Sequence, residues 1–145
     1  MPATAYDADP LAWAKEQARA LAERRFGDLD LEHLVEELED LGTSERSALE
    51  SNIIVLLAHL LKWQYQSDHR SHSWFCTIRE HRRRIARLLT KIPSLKPTIE
   101  DVTLEAFEDA LEDAMDDTKL PRDAFPETCP FGFDDLFRIE VEDPA

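Results

Sequence analysis

The sequence predicts an all-α fold: an up-and-down bundle of four to five helices, closed by an irregular Pro/Phe-rich C-terminal strap. Three observations predict it. The 145 residues hold only three glycines and little valine, with abundant Ala, Leu, Glu and Arg, a composition that favours helix over strand. Apolar residues recur at steps of three and four along most of the chain. Helix start and stop signals punctuate those runs.

The length suits one domain over residues 1–145, with 118–145 an extension packed on the bundle. A chain of this size buries roughly 70% of its unfolded surface, so it needs no disulfide or metal to fold. The two cysteines, Cys76 and Cys129, make no disulfide framework. The start, MPATAYDADP, lacks the basic and apolar segments of a secretory signal. A cytoplasmic location without membrane contact is therefore expected.

Asp9 followed by Pro10 reads as an N-cap with proline at the first helical position. Leu11, Ala14, Ala18 and Leu21 then recur at helical spacing, with Trp13 adding bulk, Arg24 and Arg25 in the last turn and Gly27 as the stop. The spacing leaves open whether the stripe on this helix is buried in a dimer or under the strap. Asp30 caps a second helix whose stripe is Leu31, Leu34, Val35, Leu38 and Leu41, ended by Gly42. Its outer face carries Glu32, Glu36, Glu37, Glu39 and Asp40.

Thr43 or Ser44 caps a third, central helix reaching Gln66. Leu49, Ile53, Leu56, Leu57, Leu60, Leu61 and Trp63 share a wide face, and only Asn52, His59, Lys62 and Gln66 make a polar strip. A helix apolar on so many sides belongs in the middle of a bundle. Gln64 falls on the apolar face and is expected to be buried and hydrogen-bonded. The short joint at Gly42 predicts an antiparallel pair of helices two and three.

Ser71 or Ser73 caps the fourth helix, where Trp74, Ile78, His81, Ile85, Leu88 and Ile92 form a seam that ends at Pro93. The fifth starts near Ser94 to Pro97 and turns Ile99, Val102, Ala106, Phe107, Ala110, Leu111 and Ala114 inward. The tail mixes Pro121, Pro126 and Pro130 with Phe125, Phe131, Phe133, Leu136 and Phe137, with a helical turn expected near 133–137.

LEHLVEELEDLG, SERSALESNIIVLLAHLLKWQYQ, RSHSW with TIREHRRRIARLL, and FPETCPF stand in that order. Together they resemble the bacterial family catalogued as "domain of unknown function 29", over nearly the whole chain. Trp63-Gln64-Tyr65-Gln66 and Arg70-Ser71-His72-Ser73-Trp74 are the most distinctive segments. The resemblance implies a single helical domain and supplies no catalytic residues.

The net charge of −14 is uneven. Residues 1–43 carry −7, 44–99 carry +6 and 100–145 carry −13. Net acidity disfavours general binding to nucleic acid or anionic membranes. The basic segment centres on Arg79, Arg82, Arg83, Arg84 and Arg87. They form a phosphate-binding candidate, weighed against salt bridges to the acidic fifth helix, which are preferred. At the end of the central helix Trp63, Gln64, Gln66, Arg70, Ser73 and Trp74 form a ligand-pocket candidate, weighed against a hydrogen-bonded hinge. His69, His72 and Cys76 are a weak metal candidate, because four ligands at clearer spacing are usual. His33 and Glu36 read as an exposed pair.

No Gly-rich phosphate loop, GxSxG elbow, HExxH or CxxC is present, so no catalytic residue or cofactor is assigned. The expected function is a small acidic interaction or regulatory module, partnered by another protein or a second copy of itself. The alternatives are a nucleic-acid-linked role through the basic helix and a metal-dependent enzyme at His69 and His72.

Overall fold

The computed structural model describes residues 5–144. It is all α, with no strand among the described residues. The helices are α1 (Pro10–Ala22), α2 (Leu31–Tyr65), α3 (His72–Lys91), α4 (Ile99–Thr118) and a short α5 (Asp135–Arg138). None of the helices is long and apolar enough to cross a membrane.

The second and third helices expected from sequence are one helix of 35 residues. Gly42 neither ends the first half nor separates an antiparallel pair. Thr43 does not cap either: its hydroxyl donates to the Glu39 carbonyl one turn back, at 3.2 Å, as it does inside a helix. Cap preferences amount to about 1 kcal/mol. Here strong helix formers on both sides outweigh them. Asp9 does cap α1, accepting from the Ala12 N–H at 3.1 Å. That helix stops before Arg24, which takes the left-handed conformation at φ 59° and sits beyond the last turn rather than in it. Gly27 is not the stop.

The chain divides into two units, Met1–Ser44 and Glu45–Ala145, with the boundary inside α2. In the first unit Trp13, Gln17 and Ala20 are buried. Asp30 organises that unit. Its carboxylate accepts from Trp13 Nε1 at 3.0 Å and contacts His33 Nδ1 at 2.6 Å, while its own N–H donates to Gln17 Oε1 at 2.7 Å. Tyr6 stacks on His33 at 4.3 Å and donates to Glu37. That bond to a carboxylate pushes the Tyr6 phenol up to about 12.

In the second unit the buried faces of α2, α3 and α4 share one core: Leu49, Ile53, Leu56, Leu60 and Leu61 against Ile78, Ile85, Val102, Phe107 and Leu111. The tail covers part of it with Phe125, Phe131 and Leu136, as the strap expected from sequence does. Arg82 on α3 ties the tail down, its guanidinium donating to the Leu136 and Ile139 carbonyls at 2.7 Å each.

Candidate functional site

The polar side chains of the second unit gather where α2 ends and α3 begins. Ser71 sets that corner by capping α3, its hydroxyl accepting from the Trp74 N–H at 3.2 Å. Arg70 closes the other side. Its Nε donates to the Trp63 carbonyl at 2.8 Å, and its guanidinium lies 4.9 Å from the centre of the Trp63 ring. An arginine at this place satisfies one of the orphan carbonyls of the last turn of α2.

Lys62 lies inside this corner with its side chain 4% exposed. Its ammonium donates to Asp117 Oδ2 on α4 at 2.9 Å, approaches His59 Nε2 at 3.4 Å and lies 5.0 Å from the Trp74 ring centre. His59 Nδ1 donates to the Val55 carbonyl at 2.8 Å, which leaves Nε2 to accept from Lys62. Burial, then the nearby Lys62 charge, lowers the His59 pKa below the usual histidine range. Burial, then neighbouring Asp117, raises that of Asp113 on α4.

Of the pocket residues proposed from sequence, Trp63, Arg70 and Trp74 come together here. Gln64 does not: it is exposed, because α2 ends one residue later and nothing covers that face. Gln66 is half-buried at the joint and Ser73 is exposed on the first turn of α3. The sequence puts Lys62 in the polar strip of the central helix, and the structure buries it. Its position one turn beyond His59 on an otherwise apolar helix, with aspartates closing α4, is the signal that marks it. Two open cavities flank the corner. One of about 320 Å³ is lined by Trp63, Arg70, Glu140, Glu142, Asp143 and Pro144. The other, of about 160 Å³, is lined by Phe75, Ile78, Arg79, Arg82 and Val141.

His69 is exposed and stands apart from His72 and Cys76 in the hydrogen-bond pattern. His72 instead lies between two partners: Nδ1 is 2.7 Å from Asp143 Oδ2, and Nε2 is 3.3 Å from Cys76 Sγ. Among the described residues no group of three or more His, Cys, Asp or Glu is placed to hold a metal ion.

The arginines of α3 divide. Arg82 turns inward to the tail carbonyls, as above. Arg79 covers the Phe75 ring at 5.2 Å. Arg84 and Arg83 hold Glu80 on their own helix at 3.0 and 3.2 Å, keeping its carboxyl below the usual range. The salt-bridge seam expected between this helix and α4 is not formed among the described residues. The α4 carboxylates pair elsewhere: Glu105 with Arg46, Glu108 with Arg122 and Asp117 with Lys62. The side chains of Arg79, Arg83 and Arg84 are engaged instead with Phe75 and Glu80 of their own helix, and that of Arg82 with tail carbonyls more than fifty residues away in sequence.

A different feature stands out in the first unit. Nine large apolar residues are exposed among the described residues, and seven of them fall here: Leu11, Leu21, Phe26, Leu31, Val35, Leu38 and Leu41.

The fold and its open polar corner define a small all-α protein. Residues 5–140 match the family described as Domain of unknown function DUF29, and the chain belongs to that family. No curated protein and no solved structure matches it.

Proposed function

We propose that the protein is an interaction module that docks through the first unit, and that the surface is closed by a second copy of the chain. The observation that carries this is the seven exposed apolar side chains of residues 11–41. A unit of about 40 residues rarely holds together without help from a partner, a metal or a disulfide. With only Trp13, Gln17 and Ala20 buried, this one has a small core of its own.

Four of the seven exposed side chains, Leu31, Val35, Leu38 and Leu41, lie on one side of α2, and at about 100 Å² each they present roughly 400 Å², half of the ~800 Å² per partner of a stable interface. Residues 1–43 carry −7, so charge opposes the pairing of two copies unless the carboxylates stay off the contact. On α2 the stripe of Leu31, Leu34, Val35, Leu38 and Leu41 occupies one side of the helix. Glu32, Glu36, Glu37, Glu39 and Asp40 project from the others, so two copies can join their stripes and keep the carboxylates in water.

Light scattering on the purified chain tests it. A dimer that becomes a monomer in Leu38→Glu supports the proposal. A monomeric wild type overturns self-association, and a different protein that co-purifies with wild type but not with Leu38→Glu identifies another occupant.

A second reading rests on one observation: Arg79, Arg83, Arg84 and Arg87 are exposed on α3 and, among the described residues, have no α4 carboxylate as partner. Such a row suits phosphates, and binding of a labelled single-stranded oligonucleotide should then fall steeply with salt. Flat anisotropy at low salt removes this reading.

A further inference from the structure

Cys76, His72 and Asp143 stand in a defined order. The Asp143 carboxylate faces His72 Nδ1 at 2.7 Å, so the proton of the neutral imidazole sits on Nδ1. The lone pair of Nε2 is thereby left facing Cys76 Sγ at 3.3 Å. The two nitrogens lie on opposite edges of the ring, so the three donors do not converge on one ion. The arrangement suits proton transfer: a thiol, a base one helical turn away, and a carboxylate that orients the base.

The chain carries its own contrast. Cys129 donates to the Phe131 carbonyl at 3.4 Å, and burial raises its pKa above the usual thiol value. Cys76 is half-exposed, and its partner His72 contacts Asp143, which lines a surface opening with Trp63 and Arg70. Phe75 packs beside His72 with ring centres 6.3 Å apart. The charged neighbours are Glu140, Glu142 and Arg70 along the same opening, and Arg79 further along α3.

We propose that Cys76 is a reactive thiol, deprotonated by His72 and positioned through Asp143, that exchanges with small disulfides at the protein surface. The step balances without any further reagent. The Cys76 S–H proton passes to His72 Nε2. The thiolate attacks one sulfur of R–S–S–R, the Cys76 S–S bond forms as the substrate S–S bond breaks, and R–S⁻ leaves with the electron pair. It then takes the proton from His72, releasing R–SH. His72 is the general base, and Asp143 is a positioning residue.

The test is the rate of reaction with 4,4′-dithiodipyridine at pH 6–8, with peptide mapping to separate Cys76 from Cys129. Native Cys76 should react at least about tenfold faster than Cys129 and faster than Cys76 itself in urea, a sign that burial alone never produces. His72→Gln should slow Cys76 by about tenfold or more and remove an inflection from the pH profile, with circular dichroism unchanged. Asp143→Asn should shift that inflection and slow the reaction less. A native rate no higher than the rate in urea overturns the proposal. So does a pH profile that His72→Gln leaves unchanged. An Asp143→Asn profile identical to wild type overturns the positioning role.

Discussion

Lys62 Nζ lies 2.9 Å from Asp117 Oδ2, yet the two side chains differ in exposure, 4% against 56%. The ammonium is buried between α2, α4 and the Trp74 ring, and its partner remains wet. Losing the carboxylate should therefore cost less than breaking a fully buried pair. Asp117→Asn is expected to destabilise by about 1–2 kcal/mol, and Lys62→Ala by about 2–3 kcal/mol through lost packing as well. Lys62→Met keeps the volume and removes the charge, so it should stay within about 1 kcal/mol of wild type. Urea unfolding of the three variants checks the order.

The two best-placed histidines should titrate in opposite directions from the ordinary value of 6.5. His33 is raised by its bond to Asp30, so its contribution to stability is complete below 6.5 and is lost as pH rises through its folded value. His59 is lowered by burial and then by Lys62, so its contribution is complete above 6.5 and is lost as pH falls through its folded value. An NMR titration of the imidazole protons should place His33 above 6.5 and His59 below it. A reversed order would contradict both environments.

Gly42 lies inside α2, and a Cβ there would meet nothing within 4 Å. Gly42→Ala should raise stability by about 1 kcal/mol, because a mid-helix glycine loses that much to alanine. A helix terminator would behave in the opposite way, so a lower melting temperature for this variant would mean that α2 breaks there in solution.

Leu38 and Leu56 lie on one helix with 69% and 0% exposure. Leu56→Ala should cost about 2–5 kcal/mol and Leu38→Ala no more than about 0.5 kcal/mol to the monomer. Chemical unfolding at low protein concentration separates them. At high concentration, Leu38→Ala should also weaken the self-association proposed above.

Arg82 donates through two nitrogens to the Leu136 and Ile139 carbonyls. Lysine keeps the charge but not the fork. Arg82→Lys should loosen the tail at a cost of about 1–3 kcal/mol, seen as faster tryptic cleavage at Arg138.

The sequence made the interior easier to read than the surface. Leu49, Ile53, Leu56 and Leu60 repeat at steps that only a packed helix needs, and their burial follows directly. The Asp9 and Ser71 caps were readable because each has a helix start to satisfy. Gly42, Thr43 and Ser44 misled because the same residues serve as punctuation or as tolerated interruptions, and the flanking helix decides which. Within the candidate site, Trp63, Arg70 and Trp74 were within reach of sequence because they flank one joint. Asp143 was not, since it approaches His72 from 71 residues away. Lys62 was hidden by its charge: its partner Asp117 is 55 residues away, on α4.

The 35-residue helix α2 has no buried residue before Leu49 and nine between Leu49 and Trp63. Its amides share one geometry but not one cost of opening. Those of the first half should trade their protons for deuterium by brief local fraying. Those beyond Leu49 should wait for the core to come apart. Along a single unbroken ladder of backbone bonds, side-chain burial alone then sets the clock.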